Sequence, residues 1–174
     1  YVDAAVETAR TRRRESAEQI AKLTEHADFI EQRFESWRDK SAPRTNVEYA
    51  ALAAKYAEQI RLGNSRATAT LAGLVGMSPS VMAQRIKEAR RRHLLTSGEQ
   101  GRASGELTAL GLLYTEPAFP GMRALWRSGM RLGDISHMYD ISERMVYAGL
   151  EAEGPEGGVS LSVEDFIPPA ERER

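Results

Sequence analysis

The pattern that most restricts the fold of this chain lies between Asp134 and Leu150. A helix-turn-helix needs a small residue where its two helices cross and, four positions later, a residue that tolerates positive φ. Ser136 and Asp140 meet these requirements, because aspartate adopts the left-handed conformation more readily than most residues. Apolar residues follow at the offsets that face a second helix inward, at Ile141, Val146 and Leu150. The pattern predicts a helix-turn-helix; the alternative is a three-helix domain that binds protein.

A second copy of the pattern lies upstream. Ala72 and Gly76 have the required spacing, and Ser78 followed by Pro79 is typical of the start of a helix. Arg85 departs from the pattern, since it occupies a position where an apolar residue is common. The residues expected to face the first helix of this unit are Met82, Ile86 and Ala89.

The glycine-rich segment after the second copy predicts a hairpin from Leu94 to Thr108. With Arg102 at its tip, the hairpin is either a wing suited to a minor groove or an ordinary surface hairpin. The longer segment from Thr96 to Pro120 is predicted to be a tether. In extended form, at roughly 3.3 Å per residue, it is long enough to reach from one major groove to the next.

The formal net charge of −1 hides a strong asymmetry along the chain. Residues 41–95 contain nine lysines and arginines against three acids, whereas residues 151–174 contain seven acids against two arginines. A local basic field attracts phosphate even when the whole molecule is nearly neutral, although a solvated charged face is the alternative. We expect the central unit to supply most of the phosphate affinity and the C-terminal unit to add base discrimination. The residues expected near phosphates at the end of the central unit are Arg90, Arg91 and Arg92.

The side chains expected to contact DNA lie mainly on the outer faces of the two second helices. Glutamine is suited to adenine, and arginine or lysine to guanine or phosphate. The candidates in the central unit and its hairpin are Arg66, Ser80, Val81, Gln84, Arg85, Lys87, Arg91, Arg92 and Arg102. The candidates in the C-terminal unit are Arg131, Glu143, Arg144 and Tyr147.

The first forty residues are predicted to be helical. Apolar residues from Ile20 to Trp37 are spaced three and four apart, which is the seam of a coiled coil. The seam is interrupted at Arg13 and Ser16, and Ser16 with Gln19 fits a capping box, which predicts that a second helix begins there. The seam either packs on the neighbouring unit of the same chain or pairs with a second copy.

These patterns predict a mainly α fold, with two helix-turn-helix units joined by a short hairpin or linker and preceded by a long N-terminal helical segment. The predicted divisions are residues 1–42 (N-terminal helical segment), 43–116 (central unit, with or without a wing) and 117–174 (C-terminal unit with an acidic tail). Pro43 and Pro117 mark the boundaries, because proline disfavours helical geometry in the residue before it. Asn46 is expected to cap the first helix of the central unit, and residues 159–163 alternate as a short strand would.

The stretches Ala89-Arg90-Arg91-Arg92-His93-Leu94-Leu95 and Gly101-Arg102-Ala103-Ser104-Gly105-Glu106-Leu107-Thr108 belong to a run, starting at Tyr49, that resembles actinobacterial helix-turn-helix regulators. The layout of two units is similar to that of the immunity repressors of temperate actinobacteriophages, including mycobacteriophages. The resemblance covers the middle third of the chain, and the C-terminal unit only at the level of the motif. It implies a repressor that maintains lysogeny by silencing lytic promoters and that occupies many short sites in a phage genome.

Catalytic and metal chemistry find no support in the sequence. The chain has no cysteine, which removes disulfides, thiolate nucleophiles and cysteine-ligated zinc. His26, His93 and His137 are far apart in the sequence, and no Gly-Lys-Ser/Thr of a phosphate-binding loop follows the glycines. We expect no enzymatic activity, no cofactor, no metal and no membrane span, and a cytoplasmic, nucleoid-associated protein.

The sequence therefore favours a transcriptional repressor that binds specific duplex DNA through both units. Because one chain carries two different recognition helices, we expect a monomer on asymmetric, operator-like sites. A homodimer formed through the N-terminal helix is the alternative. The other functions left open are a phage packaging or recombination accessory protein and a helical protein-interaction scaffold.

Overall fold

The structure is a computed structural model that describes residues 2–42, 44–98 and 104–153. Within these ranges the chain is mainly helical, as predicted, with eight α-helices and one 3₁₀ turn. The helices are α1 (Val2–Glu35, followed by the 3₁₀ turn Ser36–Arg38), α2 (Asn46–Arg61), α3 (Ala67–Val75), α4 (Pro79–Arg91), α5 (Ala109–Thr115), α6 (Met122–Arg127), α7 (Leu132–Tyr139) and α8 (Glu143–Ala152). The predicted strand at residues 159–163 and the acidic tail that follows residue 153 lie outside the described residues.

Helix α1 is one continuous helix, so the break predicted at Ser16 is wrong. Residues 2–35 contain neither glycine nor proline, and an unbroken ladder of backbone hydrogen bonds leaves no free N–H group there for Ser16 to cap. Phe34 and Trp37 are each 1% exposed, whereas Ile20 and Leu23 are 64% and 62% exposed. The C-terminal end of the seam therefore packs within the chain, and its N-terminal part is exposed.

Helix α2 is central to the fold and contacts α1, α3, α4 and α5. The predicted N-cap, Asn46, is wrong. The N-cap is Thr45, whose hydroxyl accepts a hydrogen bond from the N–H of Val47. The Glu48 carboxylate reciprocates by accepting from the Thr45 N–H at 2.8 Å, which completes a capping box. Asn46 is instead the first helical residue, and its buried side chain is directed into the molecule.

Helix α5 lies within the segment that was predicted to be an extended tether. Thr108 caps it by accepting a hydrogen bond from the Gly111 N–H at 3.0 Å, and Leu110 and Tyr114 are buried against the rest of the fold. The tether prediction is therefore wrong. A helix of seven residues has only two turns, which is too few to show a recognisable apolar period.

The hairpin predicted after α4 has its base in the described residues. Leu95 and Leu107 form an isolated antiparallel bridge. The Arg90 side chain donates to the carbonyl of Thr96 on one arm, at 3.2 Å, and to that of Ser104 on the other, at 2.7 Å. Backbone pairing thus joins the two arms of the hairpin, and the Arg90 guanidinium attaches both arms to α4.

One continuous hydrophobic core joins the three predicted divisions of the chain. It includes Trp37 from the first, Leu52 from the second and Val146 from the third. Helices α6 and α8 approach closely, because a Cβ atom on Gly149 would lie 2.7 Å from the side chain of Met122. None of the helices in the described ranges combines the length and the apolar character that a membrane-spanning helix needs.

Candidate nucleic-acid interface

Helices α3 and α4 pack as the first and second helices of a helix-turn-helix. Gly76 ends α3 at φ 69° and ψ 33°, the left-handed conformation that the pattern requires. The Met77 N–H then donates to the Ala72 carbonyl at 2.9 Å. Ser78 starts α4, since its hydroxyl accepts from the Val81 N–H at 3.3 Å. The predicted turn is confirmed in its backbone geometry.

Helices α7 and α8 repeat this geometry. Asp140 lies at φ 52° and ψ 45°, so an aspartate adopts the left-handed conformation that glycine adopts in the central unit. The small residue Ser136 donates from its hydroxyl to the Ile141 carbonyl at 2.6 Å, which braces the turn. Ser142 caps α8 by accepting from the Met145 N–H at 3.3 Å. The second predicted turn is confirmed as well.

The outer face of α4 carries most of the candidates of the central unit. Because Met82, Ile86 and Ala89 face the core, the opposite side of the helix is left exposed. The exposed candidates on this side are Ser80, Val81, Gln84 and Lys87. Their hydroxyl, amide and ammonium groups can pair with base edges and phosphates.

Arg85 is drawn partly inward. Its guanidinium donates to the Tyr49 hydroxyl at 3.1 Å and lies 5.9 Å from the centre of the Trp37 ring. This half-buried position agrees with the sequence register, which placed Arg85 where an apolar residue is common. The side chain thus links α4 to α2 and to the end of the N-terminal segment.

Arg91 is exposed but not free. Its side chain is 65% exposed and donates to both carboxylate oxygens of Glu88, at 2.6 and 2.7 Å. This bidentate contact raises the pKa of the Arg91 guanidinium, and the carboxylates of Glu88 and Glu151 add to the effect through their charge. The same contact holds the pKa of Glu88 below its ordinary value. A phosphate would have to compete with Glu88 for Arg91.

Arg92 is buried, so the prediction that it contacts DNA is wrong. Its side chain is 1% exposed, and its guanidinium stacks over the Tyr49 ring, 4.3 Å from the ring centre. The physical reason is helical periodicity: Arg92 lies seven residues after Arg85 and three after the buried Ala89, on the inward-facing stripe of α4.

The C-terminal ends of α4 and α8 meet at Arg92. Its guanidinium donates to the Ala152 carbonyl at 2.9 Å, to Asn46 Oδ1 at 3.0 Å and to Glu88 at 2.8 Å. The Asn46 amide in turn donates to the Gly149 carbonyl at 3.4 Å. The last carbonyls of a helix lack hydrogen-bond partners within the helix. The buried Arg92 guanidinium supplies a donor to one of these carbonyls in α8, and it thereby connects the two second helices.

Glu153, directly after α8, caps α6 from a distance. Its carboxylate accepts hydrogen bonds from the N–H groups of Met122 and Arg123 and from the Tyr114 hydroxyl. Burial, reinforced by the charge of Glu153, raises the pKa of Tyr114 well above 10, so the phenol stays protonated and continues to donate. Sequence reasoning missed Asn46, Tyr114 and Glu153, because they are far apart in the chain and belong to no motif.

The outer face of α8 exposes Glu143, Arg144 and Tyr147, as predicted. The C-terminal end of α8 lies beside that of α4, because Arg92 at the end of α4 donates to the Ala152 carbonyl at the end of α8, at 2.9 Å. At 1.5 Å per residue, α4 is about 20 Å long and α8 about 15 Å.

The remaining candidates are more dispersed. Arg66 and Arg131 are exposed at the starts of α3 and α7, and Arg102 lies outside the described residues. Within the described ranges, no group of three or more histidine, aspartate or glutamate side chains is placed to hold a metal ion. Comparison of the chain with protein-family models, with curated proteins and with solved structures finds no match.

Proposed function

We propose that this chain is a sequence-specific, duplex-DNA-binding transcriptional repressor, with α4 and α8 as its recognition helices. The observation that carries the proposal is the pair of second helices α4 and α8, each following a left-handed turn and joined at their C-terminal ends through Arg92. A second helix held in this way presents its outer face to a major groove. The proposal includes a cytoplasmic, nucleoid-associated protein without enzymatic activity.

The outer faces of α4 and α8 are suited to different parts of DNA recognition. The α4 face carries Lys87 and Gln84, a phosphate partner and an adenine partner. The α8 face carries Arg144 between Glu143 and Tyr147, so its net charge is near zero and its contribution is base discrimination rather than phosphate affinity. The phosphate affinity expected from the basic run at the end of α4 is smaller than its charge suggests, because Arg90 and Arg92 are used inside the fold.

A role in phage immunity rests on the resemblance to actinobacteriophage repressors. Such a repressor acts at promoters that carry repeated short sites, whereas a packaging or recombination accessory protein has no need of promoters. Genomic position therefore separates these two functions, since a repressor gene lies beside promoters with repeated sites. A helical interaction scaffold, the third possibility, binds no DNA at all.

The first test is selection of duplexes from a randomised pool, followed by affinity measurement as a function of salt. We expect Lys87→Ala to weaken binding to every sequence and to lower the salt slope by about 1. We expect Arg144→Ala to cost about 1–3 kcal/mol on the selected site only. Lys40→Ala is the matched control, because Lys40 is exposed and belongs to neither recognition helix.

Two outcomes would count against the proposal. If no sequence is enriched over random duplex at moderate salt, specific DNA binding is excluded. If Arg144→Ala leaves both affinity and base preference unchanged, α8 is not a recognition helix, and the C-terminal unit is a protein-binding domain.

A further inference from the structure

The N-terminal part of α1 is an exposed helical arm, defined here as residues 10–25. Every residue of the arm is exposed, including Ile20 and Leu23. The whole helix is about 50 Å long at 1.5 Å per residue, and only its C-terminal end packs on the core. A helix of this kind usually owes its stability to the burial of an apolar face, and the described part of the chain offers no such cover for the arm.

The apolar stripe of the arm leads into a groove between α1, α2 and the hairpin. The groove has a volume of about 760 Å³. Its apolar lining consists of Ala27, Ile30, Ala54, Ala57, Ile60 and Leu107. Ala27 and Ile30 are the next two seam positions after Leu23, so the exposed stripe and the groove form one continuous surface.

The rim of the groove is acidic on balance, while the start of the arm is basic. The rim carries Asp28, Glu31, Glu58 and Glu106 against Lys55 and Arg61, and Lys55 already pairs with Glu31. The arm carries four arginines between residues 10 and 14. On the surface of the helix, Arg10 lies 3.8 Å from Glu7, and Arg14 donates to Glu18 at 3.0 Å. The two ends of the continuous surface therefore have opposite charge.

We propose that the arm of a second copy of this chain packs antiparallel on the stripe and groove, forming a homodimer. In this register Ile20 faces the second copy's Leu23, Ala27 faces its Ser16, and Ile30 faces its Arg13. A two-fold axis repeats each contact. The arginine that interrupts the seam lays its methylene groups over Ile30 and extends its guanidinium to the acidic rim. The interruption at Arg13 and Ser16 is thus the part of the seam that fits the groove.

Other arrangements fit the same surface less well. In a parallel pair, Arg13 would face its own copy across the seam. The acidic residues 151–174 have the same sign of charge as the rim, so their charge does not complement it. DNA phosphates would pair with the arginines, but they would not bury the apolar side chains of Ile20 and Leu23. A second copy of the arm both buries the apolar stripe and pairs its arginines with the acidic rim.

The test is the molar mass of the whole chain without DNA, by sedimentation or light scattering over a range of concentrations, so its result does not depend on the proposed DNA binding. We expect the mass to rise from 19.3 kDa towards twice that value. Leu23→Glu should raise the dimer dissociation constant about tenfold or more, because it buries an unpaired charge. Leu62→Glu is the control, since Leu62 is 68% exposed beyond the end of α2 and outside the groove. Both sites are exposed, and circular dichroism checks that each variant folds.

Charge reversal and cross-linking test the register. Arg13→Glu should weaken the dimer, and adding Glu58→Arg should restore it. Because the chain has no cysteine, a mixture of Ser16→Cys and Ala27→Cys proteins should form a mixed disulfide dimer, whereas Ser16→Cys alone should not.

A monomeric mass at every concentration would overturn the proposal, and so would a dimer that is insensitive to Leu23→Glu. Self-cross-linking of Ser16→Cys would overturn the antiparallel register. If Arg13→Glu weakened DNA binding while the free chain stayed monomeric, the arm would be a DNA contact instead.

Discussion

Arg90, Arg91 and Arg92 are neighbours in the sequence but have three different roles. Arg90 holds the hairpin, Arg91 is exposed and paired with Glu88, and Arg92 joins the ends of α4 and α8 from inside the molecule. Successive residues on a helix point about 100° apart, so a run of one residue type cannot share one environment. Charge density along a sequence therefore overestimates the number of cations available to a ligand.

At the residue scale, the test is a comparison of Arg92→Ala with Arg91→Ala by urea unfolding. We expect Arg92→Ala to lower the free energy of unfolding by about 3–5 kcal/mol, because it leaves the buried Asn46 and Ala152 oxygens without their cation. Arg91→Ala removes only a surface ion pair and should cost less than about 1 kcal/mol. Similar losses for the two variants would mean that the buried cation does not hold α4 and α8 together.

At the scale of elements, the left-handed turns decide which face of each second helix is presented. Gly76 and Asp140 have nearly the same backbone angles, although one has a side chain and the other has none. The turn at Asp140 is supported by the hydrogen bond from Ser136 to the Ile141 carbonyl. The turn at Gly76 depends on the absence of a Cβ atom.

Two glycines in one unit allow a matched test of this point. A Cβ atom on Gly73 or on Gly76 would meet nothing within 4 Å, but only Gly76 has a positive φ. Gly76→Ala should therefore destabilise the fold by about 1–2 kcal/mol. Gly73→Ala, within α3, should stabilise it by up to about 1 kcal/mol. Thermal unfolding measures both effects. A Gly76→Ala protein as stable as the original would show that the turn does not depend on the absence of a Cβ atom at this position.

At the scale of the whole molecule, the two helix-turn-helix units share one hydrophobic core. Arg92 and Asn46 connect the central unit to the end of α8, and Glu153 connects α8 to α6 and α5. Packing and polar contacts thus take the place of the extended tether that the glycine-rich segment suggested. Under the proposed function, two recognition helices held in this way fit a single spacing on DNA.

We predict that each chain, also within the proposed dimer, recognises an asymmetric site of its own and that its affinity depends sharply on the spacing within the site. Inserting about five base pairs, half a helical turn, between the two half-sites should lower affinity by about 10²–10⁴-fold. The cause is that the second recognition helix then faces the wrong side of the duplex. Gel shifts on spacer variants of the selected site measure this, with a substitution outside the site as the control. Equal affinity for all spacings would indicate a flexible link.

The periodic features of the fold were predictable from the sequence. Helices α3 and α7 and both left-handed turns follow from local patterns, because caps, small residues and apolar offsets act within a few residues. Gln84, Lys87, Arg144 and Tyr147 were correctly expected on exposed faces for the same reason. A helical register, once set by its buried side, also determines the opposite side.

The tertiary structure alone decided the features that depend on distant residues. Asn46 and Gly149 are separated by 103 positions but share a hydrogen bond, and no local pattern reveals a partner so far away. The same holds for the burial of Arg92, the capping of α6 by Glu153 and the helical state of α5. The sequence by itself determined which faces the second helices turn outward, since that is a local property of each helix. Only long-range packing decided that α4 and α8 meet at their C-terminal ends and that just one end of the α1 seam is covered, because both depend on residues far apart in the chain.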